Sequence, residues 1–199
     1  LRIATPITRN NTMIGYILML VLPAALLMTS PEKIELSLGY PGIIERAMPV
    51  LLGLIAAMMP MTSCAISMEG KNWWLMQTLP IENKVIFNSK ILTHLSVVLP
   101  FYVVSVILSI LALKPEPLGI LWLILIPAAY ILFSSVAGIA INLKFPILDW
   151  ENETRVVKQS ASTMVTMLVD MVLCLPPIIC LIAFKTISVN NVMGVTLVL

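Results

Sequence analysis

Three carboxylates at alternate positions, Asp149, Glu151 and Glu153, are the residues whose types could first suggest chemistry. A divalent-cation site uses such groups. Alternate spacing, however, splays them around a helix. The chain's one histidine, His94, lies in another segment and reads as a hydrogen-bonded structural group rather than a ligand. The trio reads better as a helix start. Asp149 is placed to cap it, Glu151 and Glu153 sit in the electropositive first turn, and Arg155 and Lys158 follow. Glu151 and Arg155 form an i,i+4 pair. A second residue of interest is Asp170, the one acid inside an apolar run. A charged group at membrane depth costs about 2.5–3.5 kcal/mol on insertion scales, so it is expected to face the bundle interior or water. There it would line a pathway or pair with a polar group. Cys64, Cys174 and Cys180 all lie in apolar runs and are expected as small buried side chains, not as a disulfide framework or a zinc site. There is no Gly-x-x-x-x-Gly-Lys, His-Glu-x-x-His or Gly-x-Ser-x-Gly stretch. Catalysis, a metal and a cofactor on this chain are therefore not expected.

The elements that carry these residues follow from composition. Of 199 residues, 59% are hydrophobic and 11% charged, with a mean hydropathy of +1.02. A soluble domain has about 45–50% apolar and about 25% charged residues. The chain therefore reads as an all-α, polytopic transmembrane helix bundle forming one domain over 1–199. Gaps between formal charges place five full spans near 13–29, 47–67, 91–113, 118–143 and 161–184, and a truncated sixth at 192–199. The apolar run that breaks off at Leu199, and a start at Leu1 rather than Met, suggest a fragment of a longer protein. Leu, Ile and Val dominate without period-two alternation, which favours helices over barrel strands. Pro23, Pro49, Pro60, Pro100, Pro127 and the pair Pro176–Pro177 fall inside these runs. They read as packing kinks, or as hinges between two shapes of the bundle.

Orientation follows from Lys and Arg in the connecting loops. One side has Arg2, Arg9, Lys71, Lys84, Lys90, Lys144, Arg155 and Lys158; the other has Lys33, Arg46, Lys114 and Lys185. The richer side is expected to be cytoplasmic, with the N-terminal end inside. The two long polar loops, Ser67–Lys90 and Lys144–Ser160, then share that side. Two glycosylation-like triplets, at Asn10 and Asn152, also fall there. Within Ser67–Lys90, Lys71 to Leu79 has room for about two helical turns, with Trp73, Met76 and Leu79 or Pro80 on one side. Gly70 supplies a bend before it, and Pro80 stops it. A new helix is expected to begin near Pro80–Glu82 and continue into the third span. Composition alone would make this patch an interfacial anchor, since Trp favours the headgroup level.

The stretch Ile66 to Pro80, reading Ile-Ser-Met-Glu-Gly-Lys-Asn-Trp-Trp-Leu-Met-Gln-Thr-Leu-Pro, resembles a stretch of ABC-2 type permeases, the membrane subunits of bacterial ATP-binding-cassette exporters. Asn142-Leu-Lys-Phe-Pro146, with Asp149-Trp150-Glu151-Asn152-Glu153 and Val156-Val157-Lys158-Gln159-Ser160, looks like a second stretch of one branch of that family. Thr5-Pro6-Ile7 to Gly15 is a weaker match. Gln77 stands where the family would have a basic residue, and Asp170 is not a family feature. The resemblance implies a multi-pass protein of the bacterial cell membrane. It would pair with a separate ATPase subunit that holds ATP and Mg, with a second permease half or copy, and with the bilayer, but not with nucleic acid. It implies a short cytoplasmic amphipathic coupling helix that docks into the ATPase, with Glu69, Gly70, Lys71, Asn72, Trp73, Trp74, Leu79 and Pro80 as contacts. Asp149, Trp150, Glu151, Asn152, Glu153, Lys158 and Gln159 belong to the second cytoplasmic loop. The competing expectation is a secondary transporter or channel using Asp170 at mid-membrane. An intramembrane enzyme would need a paired nucleophile and base, or two acids, in the spans, and the sequence has neither.

Overall fold

Long apolar stretches separated by Pro, Gly and charged residues fold here into helices and little else. A computed structural model describes residues 6–39, 42–58, 61–78, 80–158 and 160–183. In order these form α1 (Pro6–Met28), α2 (Pro31–Leu38), α3 (Ile43–Ala57), α4 (Trp73–Thr78), α5 (Asn83–Leu113), α6 (Pro117–Lys144), α7 (Glu153–Lys158) and α8 (Ala161–Ala183). Two short 3-10 turns, Met61–Cys64 and Ser67–Asn72, connect α3 to α4. Every described element is helical.

Four stretches are long and apolar enough to cross a membrane: Ile43–Thr78, Asn83–Leu113, Pro117–Lys144 and Thr154–Ile179. A fifth is added if the pair Met13–Met28 and Pro31–Ser37, bent by 90°, counts as one. The truncated run at 192–199 lies outside the described residues. Helix α5 has 31 residues, so at 1.5 Å per residue it is about 46 Å long. That exceeds a hydrocarbon core of about 30 Å. Its first turns, with Lys84, can therefore project beyond the apolar zone.

The helix ends obey local rules. Helix α2 ends at Gly39 in the left-handed region, φ 71°. The Glu35 carboxylate then accepts the backbone N–H groups of Gly42 (2.7 Å) and Ile44 (3.1 Å), which tethers α2 to the start of α3. These donors have no partner within α3. Helix α5 closes on Lys114 at φ 47°, and α6 opens with Pro117 in its first turn.

Helix α1 lies along α5, α3 along α6, and α8 against both α3 and α6. The main core holds Tyr16, Met19 and Leu26 of α1, Met48, Leu52 and Ala56 of α3, Val98 and Val106 of α5, and Leu123 and Ile131 of α6. Two glycines set the close approaches. A Cβ on Gly53 would lie 2.7 Å from the Tyr130 ring, and one on Gly138 would lie 2.6 Å from Thr62 Oγ1 and 3.0 Å from the Ser63 backbone nitrogen. Small residues at such contacts let helices in membranes approach closely. The outward residues of α5 (Leu92, Leu99, Val103, Ile107, Leu111) are apolar and exposed, as a lipid-facing surface requires.

The second span departs from the continuous helix expected over 47–67. Regular α-helix stops at Ala57, and the chain continues as 3-10 turns. Pro60, in the sequence at this point, has no N–H to offer the helix ladder; its own placement is outside the described residues. Pro23, Pro49, Pro100, Pro127, Pro176 and Pro177 all lie within helices.

Candidate functional site: a polar junction at one end of the bundle

A chain that leaves α-geometry inside a bundle must find other partners for its backbone donors. Residues 61–70 are buried throughout. Asn142, near the end of α6, meets the need. Its Oδ1 accepts the N–H groups of Ile66 (2.8 Å) and Ser67 (3.0 Å). Its Nδ2 donates to the hydroxyls of Ser67 and Ser162, each at 2.8 Å. All four hydrogen-bonding positions of this amide are thus occupied. Ser162 passes its own proton to the Ser63 carbonyl (2.8 Å), which joins α8 to the first 3-10 turn. Ser67 Oγ also accepts the Ile147 N–H (3.0 Å), which brings in the loop after α6.

A buried ion pair completes the junction. Lys90 Nζ of α5 donates to Glu69 Oε1 and to the Ala65 carbonyl, both at 2.8 Å. The Lys90 side chain is wholly buried and that of Glu69 is 9% exposed. The sequence reading counts Lys90 as a loop charge and Glu69 as a surface contact. Both are interior groups, and each is the other's counter-charge.

The two polar loops, expected to share one side, meet here. Gly70 turns the chain with φ 55° and ψ −135°, a backbone suited to glycine. It lies under the Trp150 indole: a Cβ on Gly70 would lie 3.0 Å from Trp150 Nε1. That nitrogen donates to the Ser67 carbonyl (2.6 Å). Beneath, Cys64 and Met68 pack with Val156 and Val157 of α7, and Trp150 covers them. At the surface Lys71 pairs with Asp149 at 3.0 Å, with side chains 79% and 87% exposed.

Asp149 is therefore not the cap expected of it. Helix α7 begins at Glu153, and Asn152 Oδ1 accepts the Thr154 N–H (2.9 Å) as its cap. Asp149 and Glu151 both lie ahead of the helix, and Glu151 is exposed. The helix that starts in this loop and the span that follows it are separate elements, α7 and α8. Ser160 Oγ accepts the Thr163 N–H (3.1 Å) and starts α8 anew. The side chains of Glu153 and Lys158, and residue Gln159, lie outside what is described.

What remains on the surface is α4. It spans Trp73–Thr78, close to the expected two turns, and a fresh helix begins at Asn83 as expected near Pro80–Glu82. Trp73 and Met76, three residues apart, are half-buried, while Asn72, Gln77, Thr78 and Pro80 are exposed. Trp74 and Leu75 point outward, 62% and 51% exposed. Leu79 lies outside the described residues. Of the expected contact residues, Glu69 and Gly70 thus shape the loop from inside, and Lys71, Asn72, Trp74 and Pro80 present its surface.

Asp170 stands apart from this junction. It is buried in α8, and the Ser134 hydroxyl lies 2.7 Å from its Oδ2. The described residues include no grouping of His, Cys, Asp or Glu that could hold a metal ion. Cys64 and Cys174 are buried free thiols. Sequence reasoning missed the roles of Asn142, Lys90 and Ser162. Their signal was present as polar side chains next to, or within, apolar runs. Comparison with family models, with curated proteins and with solved structures returned no match.

Proposed function

We propose that this chain is a membrane-spanning permease subunit of an ABC exporter of the ABC-2 type, coupling ATP hydrolysis on a separate ATPase subunit to export. One observation carries the reading. A short helix with outward Trp74 and Leu75 follows directly on a buried stretch, residues 61–70, that side chains from α5, α6 and α8 hold at the end of an apolar bundle. A lipid-facing anchor would need the exposed aromatic group but not this tethering. A coupling element needs both, because a push on α4 must reach the spans. In this reading α4 is the coupling helix and docks on the ATPase through Lys71, Asn72, Trp74, Leu75 and Pro80. Asp149, across the ion pair from Lys71, borders the same surface. The Ser67–Lys90 and Lys144–Ser160 loops are cytoplasmic, the N-terminal end is inside, and the protein resides in a bacterial cell membrane. The pathway forms with a second permease half or copy, and the five full spans plus a sixth belong to that assembly.

The test is co-purification of the full-length protein with ABC ATPase subunits of its own cell. Binding is expected, together with at least tenfold weaker recovery of the ATPase with Trp74→Ala plus Leu75→Ala, about 1.4 kcal/mol or more. Failure of the unaltered protein to bind any ATPase sinks the proposal. A cysteine placed at Asn83 should be labelled only from the cytoplasmic side; labelling from outside reverses the topology.

A further inference from the structure

Among the described residues Asp170 has no counter-charge. The two ion pairs among the described residues, Lys71–Asp149 and Lys90–Glu69, both belong to the loop junction. Asp170 meets Ser134 of α6, which in turn reaches the Ala57 carbonyl of α3, and Cys174 lies one turn on along α8. Cys174 packs with Tyr130 and Val50; neither Cys174 nor Tyr130 is a cation at neutral pH.

Hydrogen bonding leaves the carboxyl two forms, an ionised Oδ2 that accepts the Ser134 proton or a protonated one that donates to Ser134 Oγ, and the unpartnered Oδ1 selects the second. Ser134 Oγ lies 3.0 Å from the Ala57 carbonyl and 2.7 Å from Asp170 Oδ2. A serine hydroxyl has one proton, and a carbonyl can only accept. With the serine proton on Ala57 O, the 2.7 Å contact requires a proton from the carboxyl. Asp170 Oδ1 has no hydrogen-bond partner among the described residues. An ionised carboxylate would leave that oxygen charged and unsolvated, whereas a neutral acid leaves only a bare carbonyl there, at far lower cost.

We propose that Asp170 is a proton-binding site: its carboxyl carries a proton within the bundle, donates it to Ser134 Oγ, and Ser134 donates in turn to the Ala57 carbonyl. On loading, the O–H on Oδ2 forms as an O–H of hydronium breaks and leaves water, with no change of oxidation state. Thr166 and Ser162 lie one and two turns before Asp170 on the same face of α8, and both are buried. They lead from the carboxyl towards the Asn142 junction, which ties the proton's site to the part of the bundle that α4 adjoins. The assignment does not depend on the exporter reading.

Infrared spectroscopy of the full-length protein in lipid nanodiscs tests it. A protonated-carboxyl C=O band is expected at neutral pH. The band should vanish in Asp170→Asn and move to higher wavenumber in Ser134→Ala, where the acceptor is gone. Dicyclohexylcarbodiimide, which attacks protonated carboxyls in apolar surroundings, should label the Asp170 peptide at neutral pH. Labelling should fall about tenfold per pH unit above the carboxyl's midpoint and be indifferent to NaCl. Absence of an Asp170-dependent band in folded protein overturns the proposal, since the group is then a carboxylate. Protection by NaCl at fixed pH also overturns it, since the occupant is then sodium. Should Asp170→Asn fail to fold, the Ser134→Ala shift and the labelling of the unaltered protein decide the matter alone.

Discussion

Removing one member of the Lys90–Glu69 pair should cost more than removing both. At 2.8 Å and an effective dielectric of about 20, the attraction between two unit charges is about 6 kcal/mol. Desolvating the two ions costs several kcal/mol each, so the intact pair contributes little net stability. Lys90→Met leaves the Glu69 carboxylate buried and alone, an expected loss of about 3–5 kcal/mol. Glu69→Leu leaves the Lys90 ammonium with only the Ala65 carbonyl, a loss of similar size. The double variant leaves no orphan charge. It forfeits the hydrogen bond to Ala65 O, about 1 kcal/mol, and otherwise replaces ions by apolar side chains. The double variant should therefore be more stable than either single one, with a coupling energy of at least about 5 kcal/mol. Reversible unfolding in mixed micelles, run as a double-mutant cycle, measures this directly. Additivity of the two single losses to within about 0.5 kcal/mol would show that the two charges do not compensate each other, and the reasoning would be wrong.

Three further outcomes follow from the same geometry. Asn142→Ala strands the Ile66 and Ser67 N–H groups and should cost about 2–4 kcal/mol, with protease cleavage appearing in the Ser67–Glu82 loop as the readout. Gly138→Ala should destabilise well beyond Gly39→Ala. The former meets Thr62 Oγ1 and the Ser63 backbone, whereas the latter meets only its own left-handed φ, about 1 kcal/mol, and thermal unfolding should rank them in that order. Lys71→Ala should change stability by less than about 1 kcal/mol, since the Lys71–Asp149 pair is exposed and screened; a larger loss of thermal stability would mean the pair is structural.

The helices were legible in the sequence because charge-free apolar runs leave few alternatives at membrane depth. Gly70 as a bend, the short helix before Pro80 and the new helix near Glu82 were legible too, since glycine and proline restrict the backbone locally. The junction was not. A charge-free gap over 47–67 says nothing of where its backbone donors go, and the partners are remote: Ile66 meets Asn142 76 residues later, and Ser63 meets Ser162 after 99. Lys90 and Glu69 were misread for one shared reason. Counting charges by loop assumes that they face water, and the side chain that answers Glu69 lies 21 residues on, on the next helix. Asp149 had local credentials as a cap, but Asn152 sits nearer the helix that forms.

These separations have a consequence for biogenesis. Residues 61–70 emerge from the ribosome long before Asn142 and Ser162 exist, and their amide groups cannot be left bare in lipid. Until α6 and α8 arrive, this stretch must remain in water, in the insertion machinery, or as a longer provisional helix. The mature 3-10 path is therefore a late product of maturation, written last by residues at the far end of the chain.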